Sequence, residues 1–127
     1  MKHIAAAIIR ENNKVLICQR AAGGSTGYLW EFPGGKIEQG ENAAECVVRE
    51  CKEELSVDIA VQGIFAKTQY TYPEGELQLT FLDATIVKGN IKLNVHLDSK
   101  WVDISSLEEY DFCPADKDVV KKICMIG

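Results

Sequence analysis

The chain has 127 residues, of which 46% are hydrophobic and 26% charged, with a formal net charge of -5. That length holds one hydrophobic core, so a single domain over residues 1–127 is expected. An acidic balance excludes a surface built to grip polymeric nucleic acid, which needs a basic footprint. The N-terminal apolar run from Ile4 to Ile9 stops at Arg10-Glu11, too short for a signal segment or a membrane span.

In chain order, residues 3–10 and 14–20 are apolar runs around Glu11-Asn12-Asn13 and predict a β-hairpin. Residues 21–27, small and Gly-rich, predict a loop. Trp30-Glu31-Phe32-Pro33 leads into the Gly34-Gly35 turn. A helix is predicted from Glu41-Asn42, where anionic and capping side chains are favourable, to Ser56-Val57. Ala44, Val47, Val48, Cys51 and Leu55 fall at amphipathic spacing on its core face. Residues 59–72 predict a long strand, Pro73-Glu74-Gly75 a turn, and alternating Leu77, Leu79 and Phe81 a half-buried strand. Lys88-Gly89-Asn90 marks another turn and residues 100–104 another strand. Residues 105–109 predict a capped helical turn, and Pro114 the first position of a helix running to about Met125. A mixed β-sheet with a helix on each side results. Cys18, Cys46, Cys51, Cys113 and Cys124 form an odd set without CxxC spacing, which suits buried free thiols and a cytoplasmic protein.

The helix after the glycine turn carries most of the chemistry. Glu50, Glu53 and Glu54 are related by i, i+3 and i+4 and fall on one narrow face beside the apolar one. Clustered like charges repel, and hard divalent cations bound through oxygen relieve that repulsion. A solvated acidic face is the competing explanation for a Glu-rich helix taken alone. Against it stand the glycine turn, Glu41 at the helix start and Arg49 among the carboxylates.

Gly35, Glu41, Arg49-Glu50, Glu53-Glu54 and Val57 resemble the box that defines the Nudix hydrolases. Two positions depart from it: Cys51 stands for an aliphatic residue and Ser56 for the second glycine. If the latter position needs a positive φ, Ser carries a modest backbone cost there. The resemblance implies an α/β fold, the Nudix-type α/β/α sandwich with a mixed β-sheet. Leu29–Glu38, Arg20 and Pro114-Ala115-Asp116 further resemble the MutT-like subgroup. That subgroup implies Mg²⁺-dependent hydrolysis of (deoxy)nucleoside triphosphates to the monophosphate and pyrophosphate, with Mn²⁺ as a substitute. Oxidised or modified nucleotides such as 8-oxo-dGTP, or cytidine-type nucleotides, fall within that substrate class. The alternatives are hydrolysis of another nucleoside diphosphate derivative such as ADP-ribose, and a non-catalytic nucleotide-binding regulator. The partner expected is a small nucleotide, with no polymeric nucleic acid and no membrane, in a monomer or homodimer.

Carried onto this sequence, the resemblance assigns Glu50, Glu53, Glu54 and the Gly34 carbonyl to the metal. One carboxylate, Glu50 or a Glu53-assisted variant, takes the proton from water. Arg49 has no acceptor and steadies the carboxylates with Glu41. Arg20 and Lys36 are candidate phosphate contacts, and Phe32, Tyr70 and Tyr72 are candidate base-stacking or core aromatics. Asp116 either caps the last helix or, when ionised, accepts from an N–H donor on a base edge, which tilts the reading towards cytidine-type or broad substrates. Where the subgroup often has a further loop glutamate, this chain has Val95, with His96 and Asp98 as possible substitutes. The general base is thereby left open.

Overall fold

The computed structural model describes residues 1–127. Seven strands follow in order: β1 (Lys2–Glu11), β2 (Lys14–Gln19), β3 (Trp30–Glu31), β4 (Gly34–Lys36), β5 (Asp58–Tyr72), β6 (Gly75–Lys88) and β7 (Asp98–Asp103). Helix α1 (Ala43–Leu55) lies between β4 and β5, and α2 (Lys117–Ile126) closes the chain behind 3₁₀ turns at Ile104–Glu109 and Pro114–Asp116.

Strand β1 organises the rest. It pairs parallel with β6 from Lys2↔Leu77 to Ile9↔Ala84, and antiparallel with β4 through Ala5↔Gly35. Both faces of a parallel pair need cover, which is why Ala5–Ile9 is a continuous buried run. Ala5, Ala7 and Ile9 point into one core with Cys46, Val47, Cys51 and Leu55 of α1. Ala6 and Ile8 point the other way, into a core with Val119, Val120 and Ile123 of α2. The mixed sheet therefore lies between two helices, as expected.

The predicted hairpin exists only at its turn. β1 and β2 pair at Arg10↔Val15 and Glu11↔Lys14, after which β2 leaves to pair with β7 and β3. The predicted one-sided pattern in β6 also fails, because Thr80 and Leu82 are buried along with Leu79 and Phe81. β6 lies between β1 and β5 with both faces covered, so period-two alternation is silenced at its centre.

Helix α1 starts and stops where the sequence indicates. Asn42 Oδ1 accepts from the Glu45 N–H at 2.8 Å and Glu45 Oε1 accepts from the Asn42 N–H at 2.9 Å, a capping box of about 1 kcal/mol. Ser56 follows the helix in the left-handed region, φ 59° and ψ 32°. On the core face of α1, Val47, Cys51 and Leu55 are buried as expected and Cys46 joins them, whereas Val48 is 38% exposed. The 3₁₀ turn at Ile104–Glu109 has no side-chain cap, against expectation. No helix is long and apolar enough to cross a membrane.

Candidate active site

A cleft of about 620 Å³ runs between the β4–α1 corner and the C-terminal turn. Its inner end is built from glycines that let backbone and carboxylate come close. A Cβ on Gly34 would collide with the Ala5 carbonyl of the adjacent strand. A Cβ on Gly35 would stand 2.5 Å from Glu50 Oε2, so the Glu50 carboxylate rests directly on the Gly35 backbone. Neither glycine has a positive φ; what each supplies is room. Gly35→Ala is expected to displace Glu50 and lower kcat by about tenfold with little change in Tm, checked by steady-state kinetics and thermal unfolding.

Arg49 holds the carboxylates around this corner. Its Nε and Nη2 donate to the two oxygens of Glu41 at 3.0 and 2.7 Å, a bidentate pair that holds the Glu41 carboxyl down at about 2. Nη1 donates to Glu50 Oε1 at 2.7 Å and to Glu53 Oε2 at 3.3 Å, and Nη2 to the Lys36 carbonyl at 3.2 Å. One guanidinium thus ties the strand–helix loop to two of the three acids. In this arrangement no three acidic, His or Cys side chains converge as a ready ligand set, because Arg49 draws Glu50 and Glu53 to itself.

Glu54 is different. Its Oε1 is shielded from solvent and has no hydrogen-bond partner. Burial first, then hydrogen bonding and repulsion from Glu50, push its carboxyl up to about 9, against a small opposing pull from the Gly34 N–H. An orphaned, half-buried carboxylate beside a second carboxylate fits a cation that supplies the missing positive charge. The sequence therefore names the right acids, while the structure shows that they are not equivalent: Glu53 is largely exposed and Glu54 is not.

Further polar side chains line the rest of the cleft. Glu31 on β3 bonds Arg20 Nη1 at 3.0 Å and lies 2.9 Å from His96 Nε2. Trp30 ties this strand to the C-terminal turn, donating to Asp111 O and accepting from the Cys113 N–H. That link brings Cys113 and Asp116 over Arg20, and the Tyr72 hydroxyl accepts from the Ala115 N–H at 3.2 Å. Asp116 is buried and makes no capping bond to α2, so helix capping does not account for it. Burial, and secondarily the Glu31 charge, raise its carboxyl well above the ordinary range, with Arg20 opposing. Burial thus favours the protonated acid, with one donor and one acceptor, over the ionised, acceptor-only form expected from the sequence.

Other candidates fall on or off the cleft. Phe32 lines it but is chiefly a core residue, stacked on Phe112 at 5.5 Å between ring centroids. Lys36 points to solvent and Tyr70 stands clear of the cleft, so neither is brought to the site as expected. Val95 lines the cleft with an exposed side chain. His96 meets Glu31 through Nε2, while its Nδ1 is shielded and unpartnered. Asp98 lies in β7 and accepts from its neighbour, the Ser99 N–H. Glu31 is the gain: in the sequence it was only part of the run leading into the glycine turn, and its place follows from the β2–β3 register Cys18↔Glu31.

The sequence pattern of the NUDIX domain matches residues 4–122. The chain belongs to the NUDIX domain family. It is a Nudix hydrolase, a class that acts on pyrophosphate bonds and uses a divalent cation. Over 121 residues it is 36% identical to the 8-oxo-dGTP diphosphatase of Escherichia coli K12, covering 94% of each chain. It is 31% identical over 116 residues to the CTP pyrophosphohydrolase of the same organism, covering 91% of this chain and 86% of the relative. The solution structure of a MutT protein of the Nudix hydrolase family, from methicillin-resistant Staphylococcus aureus 252, superposes with a TM-score of 0.79. That protein is 34% identical, with 99% of this chain and 97% of that one covered.

Proposed function

We propose that this Nudix hydrolase converts (deoxy)nucleoside triphosphates, including oxidised or cytidine-type ones, to the monophosphate and pyrophosphate with Mg²⁺, so cleansing the nucleotide pool. The observation that carries this reading is one cleft lined by Gly34, Gly35 and Glu54, with Glu50 resting against the Gly35 backbone, and by Arg20, Tyr72 and Asp116. A polyphosphate bound between them has its charge at the acids and its base at the polar pocket. Relatives named for 8-oxo-dGTP and CTP support the same substrate class.

Glu50, Glu53, Glu54 and the Gly34 carbonyl would hold the cation, Mg²⁺ or Mn²⁺ in its place. When bound, the cation neutralises phosphate oxygens and orients a water. Arg49 keeps Glu50 over Gly35, and Glu50 is the acid we assign to take the proton from water. Arg20, restrained by Glu31, contacts the nucleotide through its remaining donors; its Nε is buried without a partner. Lys36 has no part in this assignment. Five free thiols, four of them buried, suit a reducing compartment, and we place the enzyme in the cytoplasm.

In the protonated form that burial favours, Asp116 presents a donor and an acceptor, as an amide does, and so matches an oxidised guanine edge as readily as cytosine. Its folded-state proton affinity is raised, so its contribution is complete at pH below the ordinary carboxylate range. It is lost as pH rises through the raised value. Nucleotide KM is therefore expected to increase as pH rises above the ordinary carboxylate range, and Asp116→Asn to flatten that rise while keeping the low-pH affinity. An unchanged slope in the Asn variant would place the pH dependence elsewhere. The substrate class is tested by kcat/KM for canonical and oxidised triphosphates beside ADP-ribose and dinucleoside polyphosphates. A triphosphate is expected to lead, and ADP-ribose ahead of all of them would overturn the proposal.

A further inference from the structure

The last turn of α1 carries Glu53 and Glu54, and its four free carbonyls are all taken. The Ser56 N–H donates to Lys52 O at 3.1 Å, and the Lys92 N–H to Leu55 O at 2.9 Å. Asn94 takes the two between them: its Nδ2 donates to Glu53 O at 2.9 Å and its N–H to Glu54 O at 3.0 Å. Lys92–Asn94 belongs to the β6–β7 loop, about forty residues away in sequence, so the helix end is held by a distant segment.

Ser56 gives this arrangement its point. It sits at φ 59°, where a side chain is disfavoured and glycine is the usual occupant. Its Oγ accepts from the same Asn94 Nδ2 at 3.0 Å, so the two hydrogens of one amide span Glu53 O and Ser56 Oγ. Helix ends fray where their carbonyls lack partners. With glycine, the backbone would reach this conformation unaided; with Ser56, the conformation is held from outside. The next residues of the loop, Val95 and His96, line the cleft, and His96 reaches Glu31.

We propose that Asn94 is a positioning residue that fixes Glu53 and Glu54 for the cation by clasping the left-handed end of α1 to the β6–β7 loop. This rests on the reading of the α1 acids as cation ligands. Its side chain holds Glu53 O and Ser56 Oγ and its backbone N–H holds Glu54 O, so Asn94→Ala removes the first two bonds, keeps the third and removes no ligand. The Asn94 side chain is exposed, and its replacement leaves both hydrophobic cores untouched.

The test compares the parent protein with Asn94→Ala, Asn94→Ala/Ser56→Gly and Glu54→Gln. Two quantities are measured without nucleotide: Mn²⁺ affinity by titration calorimetry, and Tm in chelator. Asn94→Ala is expected to weaken Mn²⁺ binding by roughly tenfold, as loss of a group that orients a ligand does. In the double variant, glycine is expected to restore Tm without restoring Mn²⁺ affinity. Parent-like Mn²⁺ affinity in Asn94→Ala, or recovery of both quantities in the double variant, would reduce Asn94 to a stability device and overturn the proposal. Glu54→Gln separates the two levels: if it binds Mn²⁺ like the parent, the ligand reading itself fails. If it loses binding while Asn94→Ala does not, only the role of Asn94 fails.

Discussion

Glu54→Gln is expected to lower kcat by about a thousandfold, roughly 4 kcal/mol of transition-state stabilisation, and to leave the fold intact. Both halves follow from its surroundings. The Glu54 carboxyl is half-buried, has an oxygen with no partner, and is pushed up to about 9 by burial and by Glu50. Without a cation it is therefore neutral at physiological pH, and glutamine reproduces both its shape and its neutrality. Circular dichroism and Tm in chelator are expected to match the parent. With a cation, the carboxylate is needed in its charged form, which an amide cannot supply. A Gln variant that is both folded and active would remove Glu54 from the chemistry.

Arg49→Ala is expected to lower kcat by roughly a hundredfold and to weaken metal binding as well. The guanidinium makes a bidentate bond to Glu41, bonds to Glu50 and Glu53, and a further bond to the Lys36 carbonyl. Removing it frees three acids from one another's geometry and detaches the loop that seats Glu50 on Gly35. Arg49→Lys keeps the charge but loses the planar fork, and is expected to recover only part of the loss. The opposite result, tighter metal binding in Arg49→Ala, would show that Arg49 competes with the cation for Glu50 and Glu53. Metal titration of both variants beside steady-state kinetics decides between the two.

What the sequence made legible was local. The helix start at Asn42, the acids on α1 and the turn at Pro73–Gly75 all follow from residues near one another in the chain. The elements themselves fell close to their expected bounds for the same reason. What stayed hidden depends on partners distant in sequence. The split of the predicted hairpin is set by the pairing of β2 with β7, more than eighty residues later. The burial of Thr80 and Leu82 is set by cover from both sides of the sheet.

The site divides in the same way. Glu50, Glu53 and Glu54 share a helix face by spacing alone, yet their inequality comes from Gly34, Gly35 and Arg49 around them. The raised proton affinity of Asp116 comes from burial and secondarily from Glu31, neither of which its neighbours in the chain reveal. The absent loop acid at Val95 was visible in the sequence. That His96 is occupied by Glu31, and Asp98 by Ser99, was not.

The central claim is that this Nudix hydrolase cleaves a nucleoside triphosphate so that pyrophosphate leaves as one unit. Following the reaction with Mg²⁺ by ³¹P nuclear magnetic resonance reads the products directly. Nucleoside monophosphate and pyrophosphate in equal amounts are expected. Orthophosphate with nucleoside diphosphate, or no turnover of any triphosphate, would contradict the account.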